Sequence, residues 1–124
     1  MSKTYKINEN ICEHFYNWKK VGERKLNATY SIPIYKEEDG SESVGTPNYF
    51  TNDNTALKLL KDLSSKVSIE LARHKDLDKW NGSLLTDYGR ASVSGSTLAE
   101  TICKMTIAYV NITLKMQLDI EESI

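Results

Sequence analysis

The sequence predicts an α+β domain in which helices pack on a small, mostly antiparallel sheet. Three observations predict this class: apolar residues recur at helical spacing near both ends and in the middle of the chain, two segments alternate strictly, and a glycine turn separates two further short strands. With 124 residues, the chain has the size of one ordinary domain. We therefore expect residues 1–124 to form a single domain.

The first predicted element is a short helix over residues 8–20. Ile11, Phe15 and Trp18 follow one another at spacings of four and three residues, which places them on one helical face. We expect Gly22 to end this helix.

Residues 28–36 are predicted to form a half-buried strand, because Tyr30, Ile32 and Ile34 alternate with the residues between them. Pro33 has no amide hydrogen to donate, so the strand should be an edge strand or contain a bulge. The acidic stretch 37–43 that follows is predicted to be a solvated turn.

A second helix is predicted over residues 54–64, preceded by side chains that can cap its first amides. Its expected buried stripe consists of Ala56, Leu57, Leu60 and Leu63. Residues 67–71 alternate cleanly and predict a strand, and residues 75–79 predict a polar loop. Two short strands, 83–88 and 90–94, should follow, with Gly82 and Gly89 as turn residues.

The last helix is predicted over residues 98–118, since Thr97 and Glu100 form a capping box. Its apolar residues fall in two stripes: Leu98, Ile102, Met105, Tyr109, Ile112 and Met116, and then Cys103, Ile107, Val110 and Leu114. A helix packed on one sheet needs only one stripe. The second stripe predicts a homodimer or a larger even-numbered oligomer. The alternative is that the N-terminal helix covers it.

Charge and composition limit the classes of partner. The net charge is −1, so the chain has no overall positive field for a long nucleic acid. No apolar run approaches the length of a membrane span, and no targeting segment is evident, which predicts a cytoplasmic protein. Cys12 and Cys103 are isolated and are expected to be buried thiols.

The clearest candidate for phosphate binding is the start of the last helix. Ser96 and Thr97 precede it, and amides at a helix start favour phosphate oxygens. Lys104 could add positive charge from the second turn. Ordinary capping by Thr97 and a solvated lysine explain the same residues.

Two arginines near aromatic residues are further candidates. Arg24 follows Trp18, and Arg90 follows Tyr88 by two residues, which is expected to place both on the same strand face. A guanidinium can pair with two phosphate oxygens or stack on an adenine. Either arginine could instead form a structural ion pair at the surface.

The segment Tyr49-Phe50-Thr51-Asn52 places two rings and two polar side chains just before a helix. Aromatic faces stack on bases. We expect one of the two rings to belong to the core and the other to remain available to a ligand.

Signals for catalysis are weak. His14 and His74 lie in unrelated contexts, and the chain lacks metal-ligand spacings, a nucleophile elbow and nucleotide-binding glycine loops. Glu70, Asp87 and Glu100 could act as acids in a cleft, as in an ADP-ribose glycohydrolase, although no spacing pairs them. The sequence therefore predicts no catalytic residue, no metal site and no cofactor.

Three blocks together resemble the ABA-sandwich family of bacteriophages. They are Phe15-Tyr16-Asn17-Trp18, Pro47-Asn48-Tyr49-Phe50-Thr51-Asn52-Asp53, and Ala91-Ser92-Val93-Ser94-Gly95-Ser96-Thr97 leading into Ile102-Cys103-Lys104. The match covers most of the chain in order. It departs from the family where Gly95-Ser96-Thr97 replaces a common Gly-Asp-Thr.

Within that family the chain most resembles the anti-Thoeris sponge proteins. The resemblance implies a protein that sequesters glycocyclic ADP-ribose, a bacterial immune signal, at a dimer interface without degrading it; some members also bind cyclic oligonucleotides. Two alternatives remain. The chain could be an enzyme that cleaves such a signal, or a phage accessory protein that binds a host protein through the second apolar stripe.

Overall fold

The computed structural model describes residues 3–123 and the side chains of residues 5–114. The chain divides into two compact units, Met1–Asn48 and Tyr49–Ile124. The described residues contain three helices and two three-stranded antiparallel sheets, one sheet in each unit. The predicted α+β class is confirmed, whereas the expected single sheet is two sheets. The single domain stays a prediction.

The first unit begins with a helix that ends earlier than the sequence predicts. Helix α1, Lys3–Asn10, continues as a π-helical turn, Ile11–Phe15, and strand β1 begins at Lys19. The predicted helix over 8–20 is therefore wrong after residue 15. Gly22 lies inside β1, beside an irregularity in the strand pairing, and does not end a helix.

The first sheet has the order β1-β2-β3, with β1 at Lys19–Lys25, β2 at Ser31–Lys36 and β3 at Glu42–Val44. The predicted strand is β2, but it is central and not an edge strand. Pro33 is tolerated because β3 pairs only with residues 34–36. The strand pairing with β3 therefore requires no backbone N–H donor at Pro33. Its carbonyl accepts a hydrogen bond from the Gly45 amide at 2.8 Å.

The buried side of β2 also differs from the expected one. Tyr35 is fully buried and Pro33 is buried, whereas Ile32 and Ile34 are half-buried and Tyr30 is exposed. The Tyr35 hydroxyl donates to Glu13 Oε2 at 2.9 Å, which ties the strand to the π-helical turn. Alternation identified the strand correctly but not which face would be buried.

The second unit contains α2, Asp53–Ser64, then β4, Ser68–His74, β5, Lys79–Thr86, and β6, Gly89–Gly95. The sheet order is β4-β5-β6. These elements confirm the predicted helix and strands. The buried stripe of α2 is Ala56, Leu59 and Leu63, while Leu57 is exposed.

Gly82 is a strand residue and not the predicted turn residue. It lies within β5, and a Cβ atom at this position would collide with the side chain of Met105 on the last helix. The missing side chain therefore allows that helix to approach the sheet closely. Gly89, in contrast, lies beside the predicted turn, which occupies residues 87–88, and is the first residue of β6.

Helix α3, Leu98–Ser123, packs against β5 and β6 and also against α2. Both predicted stripes contribute buried residues, namely Ile102 and Met105 from one and Cys103 and Val110 from the other. Because α3 has two partners within its own unit, its broad apolar face does not require a second copy of the chain. The oligomer stays a prediction, and Met116 lies outside the described side chains.

Within the part of the chain that the structure describes, none of the helices has both the length and the apolar content that crossing a membrane requires. Both cysteines are buried free thiols, as predicted. Burial raises the pKa of Cys103 to about 12, so this thiol stays protonated near neutral pH.

Candidate functional site

Two of the predicted ligand-binding segments meet in one cleft of the second unit. This α3-start cleft has a volume of about 350 Å³ and is lined by Phe50, Thr51, Asp53, Ser96, Thr97 and Glu100. Asp53 is the first residue of α2, and Thr97 directly precedes α3. The cleft therefore lies beside the amino-terminal ends of two helices, where amide groups and the helix dipole favour negative charge.

Side-chain caps start both helices at this cleft. Asn52 Oδ1 accepts a hydrogen bond from the Thr55 amide at 3.0 Å, and Thr97 Oγ1 accepts one from the Glu100 amide at 3.1 Å. The predicted caps are confirmed. Each cap uses an oxygen as acceptor, and the Thr97 hydroxyl still carries a proton that it can donate.

Glu100 organises the loop that precedes α3. Its Oε2 accepts hydrogen bonds from the Ser96 amide at 2.7 Å and from the Ser96 hydroxyl at 3.0 Å. The hydrogen bond from the Ser96 amide, with the Ser96 hydroxyl and Lys104, holds the pKa of Glu100 below its usual 4.5. The ionised carboxylate of Glu100 therefore fixes the geometry of Ser96.

This pKa shift gives an expected pH dependence. A carboxyl group whose pKa is lower in the folded state than in the unfolded state stabilises the folded protein at pH values above its unfolded-state pKa. This stabilisation is lost as the pH falls through the folded-state pKa. We expect Glu100→Gln to melt at a lower temperature than the wild type near neutral pH. The difference should shrink as the pH falls below 4.5. Calorimetric melting curves from about pH 7 to about pH 3 measure it. Glu38→Gln, on the exposed 37–40 turn, is the matched control, and a pH-independent difference at Glu100 would contradict the account.

Lys104 is held by neighbours at the start of α3. Its Nζ donates to the Ser94 carbonyl at 2.9 Å and lies 3.4 Å from Glu100 Oε1. It lines a second depression, of about 380 Å³, that shares Ser96 and Glu100 with the α3-start cleft and also includes Lys79. The depression thus adds two lysines beside the cleft.

The two rings of the 49–52 segment have different surroundings. Tyr49 is only 5 % exposed and belongs to the core, whereas Phe50 is half-buried and lines the cleft. Tyr49 confirms the expectation that one of the two rings belongs to the core, and the availability of the other ring to a ligand stays a prediction. Tyr49 is therefore not placed to offer its ring to a ligand.

Tyr88 and Arg90 do not join this cleft. Strand β6 separates Arg90 from Ser96 by six residues, about 20 Å at 3.3 Å per residue. Tyr88 is exposed in the turn before β6 and not on the strand, and Arg90 lines a shallow depression with Glu70 and Leu85. The predicted pairing of Tyr88 with Arg90 on one strand face is wrong, because the chain turns between them.

Trp18 and Arg24 lie in the first unit. Arg24 pairs with Ile32 across the sheet and shares its face. The Trp18 ring lies 6.0 Å from the ring of Tyr35. Tyr35 follows Ile32 by three residues along β2, so its side chain lies on the face of the sheet opposite to that of Ile32 and Arg24. The register does not support Arg24 and Trp18 as two sides of one aromatic clamp.

A larger cleft lies at the other end of α2. This tyrosine cleft has a volume of about 740 Å³ and is lined by Ser64–Ile69, by Leu85–Tyr88 and by Tyr109 and Thr113 of α3. Sequence reasoning singled out only Tyr88, as a ligand-binding residue, and Asp87, as a possible acid, among these residues. No local motif could have predicted the cleft, because three separated segments assemble it.

Groups that could hold a metal ion are absent from the described residues: no three histidine, cysteine or acidic side chains come together. His74 Nδ1 accepts a hydrogen bond from the Asp76 amide at 3.3 Å, which gives it a role in the β4–β5 turn.

Comparisons with known proteins reveal a similar fold. No family model matches the chain, and no curated protein matches it. The crystal structure of a phage protein from Bacillus cereus ATCC 14579 superposes with a TM-score of 0.66 and 17 % sequence identity, covering 90 % of each chain. At this identity the similarity shows the fold alone.

Proposed function

We propose that the protein is a phage or prophage sponge that binds and sequesters glycocyclic ADP-ribose without cleaving it, and so blocks Thoeris immunity. The observation that carries this proposal is the α3-start cleft, which combines an aromatic ring, two carboxylates and two helix starts. The similarity of the fold to a phage protein supports the proposed origin.

Each part of such a ligand has a counterpart in the cleft. The half-buried ring of Phe50 offers a face for adenine. Asp53 and Glu100 can accept hydrogen bonds from ribose hydroxyls, a role that acidic residues commonly have in nucleotide sites. The amides at the start of α3 favour the pyrophosphate.

The carboxylates determine which way the ligand points. Phosphates next to Asp53 would be repelled, so we place the pyrophosphate on the Ser96 side, where Lys79 and Lys104 line the adjoining depression together with Asp78 and Glu100. The ribose hydroxyls then face Asp53. In this orientation Thr97 can donate its hydroxyl proton to a phosphate and Lys104 contributes positive charge, while the amide and hydroxyl of Ser96 already donate to Glu100.

The size of the cleft supports a homodimer. About 350 Å³ is near the lower end of the roughly 300–1,000 Å³ range of small-molecule sites. A second copy of the chain would enclose the part of the ligand that one cleft leaves exposed. Other cyclic oligonucleotides are further candidate ligands of such an assembly.

The acidic residues named in the glycohydrolase alternative do not all lie in one cleft. The lowered pKa of Glu100 makes it a poor proton donor near neutral pH. Asp87 lies beyond the other end of β6, so these two carboxyl groups do not flank one bond of a ligand. This separation counts against Glu100 and Asp87 as a catalytic pair, and Asp53 is the acidic residue that shares the α3-start cleft with Glu100.

Isothermal titration calorimetry with glycocyclic ADP-ribose tests the proposal. We expect saturable binding by the wild type and binding weakened by about two- to tenfold in Asp53→Asn, which loses a charged acceptor for a ribose hydroxyl. Asp87→Asn, at the opposite end of the unit, is the matched control and should bind like the wild type. No detectable heat with the wild type, or equal losses in both variants, would overturn the proposed site.

A further inference from the structure

Several hydroxyl groups that line the tyrosine cleft donate their protons to backbone carbonyls. Ser64 Oγ donates to the Lys61 carbonyl at 2.8 Å, Ser65 Oγ to the Asp62 carbonyl at 2.6 Å, and Thr113 Oγ1 to the Tyr109 carbonyl at 2.9 Å. A carbonyl oxygen can only accept, so the direction of each bond is fixed.

These bonds leave the hydroxyls as acceptors. A serine or threonine hydroxyl has one proton and two lone pairs, and the proton of each of these three is already donated to the backbone. Thr86 repeats the pattern, because its Oγ1 donates to the Gly89 carbonyl at 2.9 Å. The hydroxyls of Ser64, Ser65 and Thr113 can therefore receive hydrogen bonds from a ligand but offer it none, while Thr86 Oγ1 already accepts one from the Tyr88 amide at 3.1 Å.

The electrostatics of the cleft favour positive charge on the ligand. The carboxyl-terminal end of α2, at Ser64, carries the negative end of the helix dipole. Asp87 adds a carboxylate from the β5–β6 turn, and Tyr88 and Tyr109 add aromatic faces that attract cations. Lys66 is the positive side chain among the lining residues that the structure describes, and it opposes this preference.

We propose that the tyrosine cleft binds a small organic cation, an ammonium group on an aliphatic stem such as a diamine. The ammonium group donates to the hydroxyl lone pairs and to Asp87, while the stem lies along Val67, Ile69 and Leu85. A volume of about 740 Å³ leaves room for such a molecule with some of its water. This site is separate from the α3-start cleft, since the twelve residues of α2 span about 18 Å between the two.

The test is calorimetric titration of the full chain with putrescine, with 1,4-butanediol as the uncharged analogue of the same length. We expect putrescine to bind at least tenfold more tightly than butanediol, and increasing salt to weaken it. Asp87→Asn should weaken putrescine binding and Lys66→Gln should strengthen it, each by roughly two- to fivefold. Thr113→Val, which keeps the shape but removes an acceptor, should weaken it by a similar factor.

Asp53→Asn, at the other end of α2, is the matched control and should bind putrescine like the wild type. Equal affinity for putrescine and butanediol would overturn the proposal. Weaker binding in Lys66→Gln would also overturn it, because the loss of a positive charge from the lining should favour a bound cation. Both outcomes are independent of whether glycocyclic ADP-ribose binds at the α3-start cleft.

Discussion

Replacing Thr97 with aspartate is expected to reduce the affinity for glycocyclic ADP-ribose by about tenfold or more while leaving the melting temperature near that of the wild type. Aspartate caps a helix at least as well as threonine, and its charge is favourable at a helix start. The same charge repels a phosphate held by the amides of α3. Calorimetric titration and a melting curve on the same preparation measure the two effects separately.

Thr97→Ala and Thr97→Ser complete this test. Alanine removes the cap that Thr97 Oγ1 provides to the Glu100 amide and should destabilise the protein by about 1 kcal/mol. Serine keeps both the cap and the hydroxyl and should bind like the wild type. If Thr97→Asp keeps its affinity, the phosphates do not lie at this helix start.

Replacing Leu59 with alanine is expected to lower the free energy of unfolding by about 2 to 5 kcal/mol, the usual range for a buried leucine. Leu59 is fully buried on α2, the helix that packs against α3. Chemical denaturation followed by circular dichroism measures the change.

Leu57→Ala provides the control, because it makes the same chemical change on the same helix at an exposed position. We expect this variant to change the free energy of unfolding by less than about 0.5 kcal/mol. The reverse order of the two variants would mean that the buried face of α2 is the one the sequence predicts, with Leu57 inside. It would contradict the packing described here.

The elements with strong local signals were predictable from the sequence. The capping box of Thr97 and Glu100 placed the start of α3, and clean alternation placed β4. The elements of the first unit were harder to predict from the sequence. Its first helix ends in a π-helical turn, and the short strand β3 lies at the end of what the acidic residues suggested was only a loop.

Burial could not be deduced from spacing alone. Tyr35 and not Tyr30 is buried in the first unit, because the side of β2 that is covered depends on where the π-helical turn lies. Gly82 looked like a turn residue because a turn and a close approach of a helix both require a residue without a side chain. These outcomes depend on tertiary packing.

Only part of the candidate site was predictable, because tertiary packing also decides which residues come together. Phe50 and Ser96 were both identified from their own neighbourhoods, and the fold brings them to one cleft. Arg90 has an equally suggestive neighbourhood, yet the length of β6 carries it away from Ser96. Sequence proximity to an aromatic residue therefore says little about which arginine faces a ligand.

The central claim, that the protein holds its ligand without cleaving it, is tested most directly by recovering the ligand. Purified protein is incubated with a limiting amount of glycocyclic ADP-ribose, depleted of free ligand, and heat-denatured, and the released nucleotides are identified by mass spectrometry. The account predicts that free glycocyclic ADP-ribose disappears on incubation and is recovered intact and in full after denaturation. Recovery of linear ADP-ribose or another hydrolysis product would contradict it and identify the protein as an enzyme.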